Sequence, residues 1–333
     1  MTRLPILPET DVRGRGLAAV DGRVLEFQTA LSIPAEDDFE RGQALEKYCR
    51  EMSTDWDGRC ATAIPEIPEN PTLGMLSEQP SYVQAVQNRG LLPFGYRMED
   101  ASVYSMDLMR NYCYLISGKS RMGKTNTLKA MLYGAFQKKG DLCIIETGTS
   151  ELKKLAEEYQ AEYITESAQL FAYLSRLLPE FSARNKKKRA LIEEGMEEAE
   201  VFAQMSRETP IFIFISDLAA FFKMAYKPGE GVGSMSGFLE NILEKGSLHY
   251  IYFIGCLKAE DHALMSAYKA YHSYISYKKG IHLGGNLQAQ KIFNFQNLSF
   301  AQQSKATKRG MGYVPDEEEE SVGIEVVVPL AKM

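Results

Sequence analysis

The sequence has 333 residues, 45% hydrophobic and 25% charged, with a formal net charge of −6. That mix excludes a wholly disordered or collagen-like chain and supplies ample apolar side chains for a core. The acidic balance counts against nucleic-acid binding through overall charge, although a local basic strip stays open. A length a little over twice ~150 residues gives a soft prior of two domains.

The chain opens without the apolar stretch of a signal peptide. Residues 1–31 read as a small β piece, punctuated by Gly14, Gly16 and Gly22, with an alternating strand from Arg23 to Gln28. Residues 37–53 suit a helix, because Phe39, Leu45, Tyr48, Cys49 and Met52 recur near 3–4 spacing. Residues 64–74 form a proline-rich connector that should run extended. From Leu92 onward short apolar runs alternate with helical stretches. The pattern predicts strands at 112–117, 141–146, 210–216 and 250–256. It predicts helices at about 123–138, 150–159, 167–206 with an interruption, and 235–245. Such alternation argues for an α/β fold, a parallel sheet flanked by helices on both faces. The longest apolar run, Pro210 to Phe222, is broken by Ser216 and Asp217 and is too short for the ~20 residues that span a bilayer. Cys49, Cys60, Cys113, Cys143 and Cys256 are odd in number and scattered, which speaks for a reducing compartment.

One faint internal repeat stands out. Arg13-Gly14-Arg15-Gly16-Leu17 and its following strand resemble Arg309-Gly310-Met311-Gly312-Tyr313 and the strand Ile324 to Val328. On this reading residues 1–31 close a preceding module, and chance recurrence of Gly-rich strings is the rival.

The motif that carries chemistry is Gly118-Lys119-Ser120-Arg121-Met122-Gly123-Lys124-Thr125, a match to G-x-x-x-x-G-K-[ST], followed by Asn126. Glycines let the backbone turn so that successive N–H groups point at phosphates. The helix that follows adds its positive end. Lys124 should reach the β- and γ-phosphates of ATP, and Thr125 should meet Mg²⁺. The predicted context, an apolar strand before the loop and an amphipathic helix after it, is the right one. Such a site also needs an acid at a second strand tip. Asp217, after the apolar run Ile211 to Ile215, is the candidate catalytic and magnesium carboxylate. Its neighbours are Ser216 and Leu218, so no second carboxylate adjoins it to orient water. Loss of a general base costs ~10²–10⁴-fold in rate, and weak or absent hydrolysis is expected.

Several strings together resemble the FtsK/SpoIIIE-type P-loop ATPases. They are Leu92-Pro93-Phe94-Gly95, Met106-Asp107-Leu108, the P-loop, Ile144-Ile145-Glu146 with Glu151-Leu152, and Ser216-Asp217-Leu218-Ala219. Within that family the likeness is greatest to the type VII secretion ATPases EssC/EccC. It is carried by Arg13 to Leu17 with Leu25 to Leu31, the proline-rich joint, and Gly280-Ile281-His282-Leu283-Gly284-Gly285 with the Arg309 to Tyr313 close. The resemblance implies a RecA-like P-loop fold over residues 75–333, preceded by a linker at 32–74 and the β fragment at 1–31. It implies one of several tandem modules, the last, on the cytoplasmic face of a membrane-anchored protein. Its expected partners are the C-terminal signal of WXG-type substrates, the preceding ATPase modules of the same chain, and further copies in a ring. Family members carry an acid pair where this chain has Ser216-Asp217-Leu218, which implies a degenerate, regulatory module. An ATP-driven DNA translocase and a recognition scaffold with a vestigial P-loop remain as alternatives. Net acidity and the lack of a domain after Lys332 disfavour the translocase.

Other constellations have competing readings. Lys186 to Arg189 with Arg184 is a self-pairing helix face, a phosphate strip, or the source of an arginine offered to a neighbour's ATP site. Phe221, Phe222, Met224 and Tyr226 are core residues or an apolar groove for a partner helix. Asp316 to Glu320 reads as a solvated hairpin loop, and Cys256 as a small buried hydrophobe. The four histidines show no metal spacing.

Overall fold

The computed structural model describes residues 14–20, 23–30, 32–58, 65–226, 235–276, 278–285, 287–304, 307–316 and 322–333. Contacts divide the chain into two units at Ile64/Pro65. In the first unit β1 (Arg15–Val20) and β2 (Arg23–Gln28) pair antiparallel as a two-stranded sheet. Helix α1 (Asp38–Asp55) starts where the Asp37 carboxylate accepts the N–H of Glu40. It buries none of its residues, and Phe39, Tyr48 and Met52 stand exposed.

The second unit runs through α2 (Leu73–Ser77), α3 (Pro80–Gln87), β3 (Leu91–Arg97), β4 (Val103–Asp107), β5 (Cys113–Gly118), α4 (Lys124–Gln137), β6 (Asp141–Ile145), α5 (Lys153–Glu158), β7 (Glu162–Ile164) and α6 (Ser167–Glu193). It continues through α7 (Glu198–Met205), β8 (Ile211–Ile215), α8 (Leu218–Ala225), α9 (Met235–Glu244), β9 (Ile251–Lys258), α10 (His262–Met265), α11 (Lys269–Ile275), β10 (Gly280–Leu283), α12 (Phe300–Ser304), β11 (Met311–Pro315) and β12 (Gly323–Val327). One sheet takes the order β4-β3-β12-β11-β10-β5-β9-β8-β6-β7. From β10 to β7 every neighbour is parallel, and from β4 to β10 every neighbour is antiparallel.

The sheet is therefore mixed, where the sequence pattern predicts a parallel one. Its parallel half holds the four strands read from apolar runs. Strands β5 and β8 are buried along their whole length, β9 at every position but Lys258, and helices cover both faces. Of the antiparallel half the sequence yields only the strand Ile324 to Val328, which is β12; β3 and β11 escape it because Pro93, Gly95 and Gly312 interrupt their periodicity and β3 carries a bulge between Pro93 and Gly95. The long helical stretch breaks where Gly195 turns left-handed at φ 85°, and the N–H groups of Gly195 and Met196 return to Ile192 and Leu191.

The two hairpins of the sequence repeat share geometry. Gly14 and Gly310 both have positive φ, 78° and 83°. The carbonyl of each accepts the N–H of the residue beyond the second strand, Thr29 at 2.9 Å and Val328 at 2.8 Å. Arg13 itself lies outside the described residues. The β11–β12 hairpin is inserted between β10 and β3, whereas β1–β2 pairs only with itself among the described residues.

Arg184 is buried, not offered to a neighbour. It pairs with Glu180 at 2.6 Å and donates to the carbonyls of His249, Tyr250 and Thr209. Lys187 pairs with Glu208, and Lys188 donates to the carbonyls of Lys245 and Ser247, so this face pairs with its own surroundings. Phe221 and Phe222 lie in the core, with Phe222 stacked on Tyr268 at 5.7 Å. The partner-groove reading of these residues lapses. Of the acidic loop, 317–321 lie outside the described residues, as does 227–231. Removing the buried guanidinium leaves three carbonyls without their donor. We expect Arg184→Ala to cost about 3 kcal/mol in urea unfolding, while Lys186→Ala on the solvated face stays within ~0.5 kcal/mol.

Candidate nucleotide site

The site forms where β5 ends and α4 begins. Gly118 sits at φ 149°, and a Cβ there would lie 2.2 Å from the carbonyl oxygen of Leu283 in the adjacent strand β10. Only glycine fits against that backbone. Arg121 takes the left-handed region at φ 65°, and Gly123 takes it at φ 109° as the N-cap of α4. These three residues fold the loop over the positive end of a 14-residue helix.

Lys124 closes the loop on itself. Its Nζ donates to the carbonyl oxygens of Gly118 and Lys119, both at 2.9 Å. Burial lowers its pKa. Cys256, Glu260 and Asp217 pull the other way, and Lys258 adds to the lowering. From outside, the N–H of Gly310 donates to the carbonyl of Met122 at 3.1 Å, so the β11–β12 hairpin braces the loop. The side chains of Lys119, Ser120 and Arg121 are exposed. The Thr125 hydroxyl makes no hydrogen bond among the described residues. Asn126, the residue after the motif and a candidate for nucleotide contact, has its side chain engaged. Its amide donates to the carbonyl of Pro329 at 2.7 Å and accepts the N–H of Ala331 at 2.8 Å, binding the C-terminal tail.

Asp217 lies at the tip of β8, and β9 intervenes between β8 and β5. One carboxylate oxygen, Oδ1, accepts the N–H groups of Ala219 at 2.9 Å and Ala220 at 3.1 Å, capping α8. The other oxygen is the only carboxylate oxygen that strand tip offers, since Ser216 and Leu218 flank it. Glu146, at the tip of β6, is fully engaged. It accepts from Thr149 Oγ1, Glu151 N, Leu152 N and Tyr163 OH at 2.7–3.0 Å and thereby shapes the loop after β6.

The structure brings further residues close to the loop. Lys258 lies in register with Gly118, so an exposed cation flanks the first loop residue. Glu260 follows on the next turn and acts on the Lys124 charge ahead of Asp217. The only sequence signal for either was position at the end of an apolar strand. His282 and Ser117 are in register across β10 and β5 beneath the loop, with His282 Nδ1 and Ser117 Oγ both buried and unpaired. Cys256, two residues before the tip of β9, is buried and its thiol is pushed up to about 12 by burial. Among the described residues no group of three or more His, Cys, Asp or Glu is placed to hold a metal ion, and no helix is long and apolar enough to cross a membrane.

A loop of this kind between the first parallel strand and its helix, with β9 between it and the acid-bearing β8, defines a RecA-like P-loop fold. Comparison with solved structures agrees. Over 97% of its length the chain resembles the cytoplasmic domain of EssC, at 17% identity and a TM-score of 0.68, covering 59% of that chain. It resembles EssC ATPases 2 and 3 from Geobacillus thermodenitrificans at 17% identity and a TM-score of 0.66, covering 99% of this chain and 57% of that one. Thermomonospora curvata EccC ATPases 2 and 3, in complex with a signal sequence peptide, match at 16% identity and a TM-score of 0.57, over 98% of this chain and 55% of that one. The chain thus spans less than two thirds of these structures. At such identities the likeness establishes the fold. No family model matches the sequence, and no curated protein does.

Burial holds the pKa of His282 and of His249 down to about 4. An unfolded histidine takes up its proton below about 6.5, while these two stay neutral until near pH 4. Stability should therefore be complete above pH 6.5 and fall as pH drops toward 4, by on the order of 3 kcal/mol for each ring over the full window. Urea midpoints at pH 7, 6 and 5 read this directly. His282→Gln should flatten the dependence, and a midpoint unchanged between pH 7 and 5 would contradict it.

Proposed function

We propose that the chain is an ATP-binding module of a type VII protein secretion ATPase, weak or lacking in hydrolysis, that serves substrate recognition and regulation. The observation that carries this reading is a formed P-loop facing a strand tip with one available carboxylate oxygen. The backbone N–H groups from Lys119 to Gly123 would cradle the phosphates. Lys124 would leave the carbonyls of Gly118 and Lys119 to meet the β- and γ-phosphates. The free hydroxyl of Thr125 and the second oxygen of Asp217 are hard oxygen donors and suit Mg²⁺, in part through water. When bound with ATP, Mg²⁺ supplies charge neutralisation between the β- and γ-phosphates. Asp217 is occupied with capping α8, and neither Ser216 nor Leu218 can take a proton from water.

The tandem arrangement belongs to the same proposal. Residues 1–31 would close a preceding ATPase module, residues 32–74 would link, and residues 75–333 would form the module itself. The shared geometry of the Gly14 and Gly310 hairpins supports this, as β11–β12 is the element that braces this chain's own P-loop. The partner class is a secreted protein with a C-terminal signal of WXG type. The EccC structure bound to a signal sequence peptide supports that choice for this chain. Ring assembly with further copies and a membrane anchor on the cytoplasmic side complete the reading. Nucleotide and signal peptide would then affect each other's affinity by the same factor.

Calorimetric titration of Mg-ATP into the protein and into Lys124→Ala tests this. We expect a dissociation constant below about 1 mM, weakened at least roughly tenfold in the variant, and turnover below about one per second. No heat from the parent protein at millimolar ATP would leave a recognition scaffold with a vestigial loop. Turnover above that rate and dependent on Lys124 would overturn the degenerate site.

A further inference from the structure

The phosphate loop, Asp217 and Lys258 stand at the C-terminal ends of the parallel strands β5, β8 and β9. A separate cavity of about 300 Å³ opens toward the other end of these strands. Lys138 and Lys139, just before β6, line it together with Arg207, just before β8, and Arg89, just after α3. Helix α4 runs from the loop to this cavity, and its 14 residues span about 21 Å.

The four cations are concentrated in a chain whose formal charge is −6. None of them forms an ion pair among the described residues. Glu208, the carboxylate that lines the same cavity, is paired with Lys187 outside it. Helices α3, α4 and α7 all end here, and cations are favoured at such ends. A helix C-terminus carries about half a negative charge, so three of them offset fewer than two of the four cations. Lys138 Nζ donates to the carbonyls of Val86 at 2.9 Å and Asn88 at 2.5 Å, which leaves one of its three donors. Burial lowers its pKa to about 8, and a bound anion would supply the counter-charge. Lys139 takes the left-handed region at φ 56°, a conformation that favours glycine or asparagine, so a lysine stands there against the local backbone preference.

We propose that this cavity binds a phosphate-bearing ligand, with a pyrophosphate or phosphomonoester group held by the guanidinium groups of Arg89 and Arg207 and the ammonium groups of Lys138 and Lys139. Guanidinium forks match phosphate oxygens in pairs, and the ammonium groups add point charges. A single carboxylate would leave most of this charge unmatched. The cavity lies at the lower limit of roughly 300–1,000 Å³ for small-ligand pockets, which suits a compact polyanion. The site is independent of the P-loop, since no residue is common to the two.

The test removes the P-loop's own cation first. Pyrophosphate is titrated calorimetrically, at fixed ionic strength, into Lys124→Ala and into Lys124→Ala carrying Arg207→Gln and Lys139→Asn. Positions 139 and 207 are exposed, and asparagine accepts the left-handed backbone, so both variants should keep the parent's urea midpoint. We expect a dissociation constant below about 1 mM for Lys124→Ala, weakened roughly tenfold or more by the two further changes. Co-sedimentation of the same variants with phosphatidylglycerol vesicles identifies the source of the phosphate. Pelleting that is lost with Arg207→Gln and Lys139→Asn assigns it to a lipid headgroup. The calorimetric difference without pelleting assigns it to a soluble ligand. Equal pyrophosphate affinity in the two variants would overturn the proposal, as would the absence of heat from Lys124→Ala at millimolar pyrophosphate. Neither result touches the P-loop reading, which stands or falls on the dependence of ATP binding on Lys124.

Discussion

The left-handed turn at Gly118, Arg121 and Gly123 is the constraint on which the rest of the site depends. A backbone folded this way turns its N–H groups inward and leaves its carbonyls needing partners. Two sets of partners and one packing contact hold it. Lys124 donates to the carbonyls of Gly118 and Lys119 from within the loop. Gly310 donates to Met122 from the β11–β12 hairpin. Leu283 of β10 packs against Gly118 so closely that a side chain there is excluded. The antiparallel half of the sheet is thus a support for the loop. Its insertion between β10 and β3 sets Gly310 where the loop needs a donor.

The same support reaches the connector. The tail after β12 is held to α4 by Asn126 and to residues 71–73 by backbone hydrogen bonds. Each such bond contributes about 1 kcal/mol net, so the three segments are tied to one another. On the opposite flank the acid-bearing strand tip is sparse. Asp217 commits one carboxylate oxygen to capping a helix, and the buried Glu146 has no capacity left to share.

The Gly14 and Gly310 hairpins show how one local solution recurs. A glycine with positive φ, a carbonyl that accepts from beyond the second strand, and a second glycine two residues on appear in both. In β11–β12 the neighbours that use this geometry are present. In β1–β2 both edges lack strand partners among the described residues, and Val24, Leu25 and Phe27 are exposed.

Sequence alone determined the loop motif and four strands of the parallel half, β5, β6, β8 and β9, while β7 and β10 went unread. The pattern from Gly118 to Thr125 can be read because its glycines and lysine are required by local backbone geometry. The apolar runs of β5, β6, β8 and β9 can be read because strands buried on both faces leave no polar alternation. Tertiary structure alone decided the pairing of the antiparallel half, where Pro93, Gly95 and Gly312 hide β3 and β11 and the neighbours of every strand are set by distant partners. It also decided the use of individual polar side chains. Asn126 binds a tail more than two hundred residues away, Arg184 is buried against carbonyls of two other segments, and Glu260 stands near Lys124 only because β9 pairs with β5. A side chain's partners are fixed by which segments meet in space, and no spacing along the chain records that.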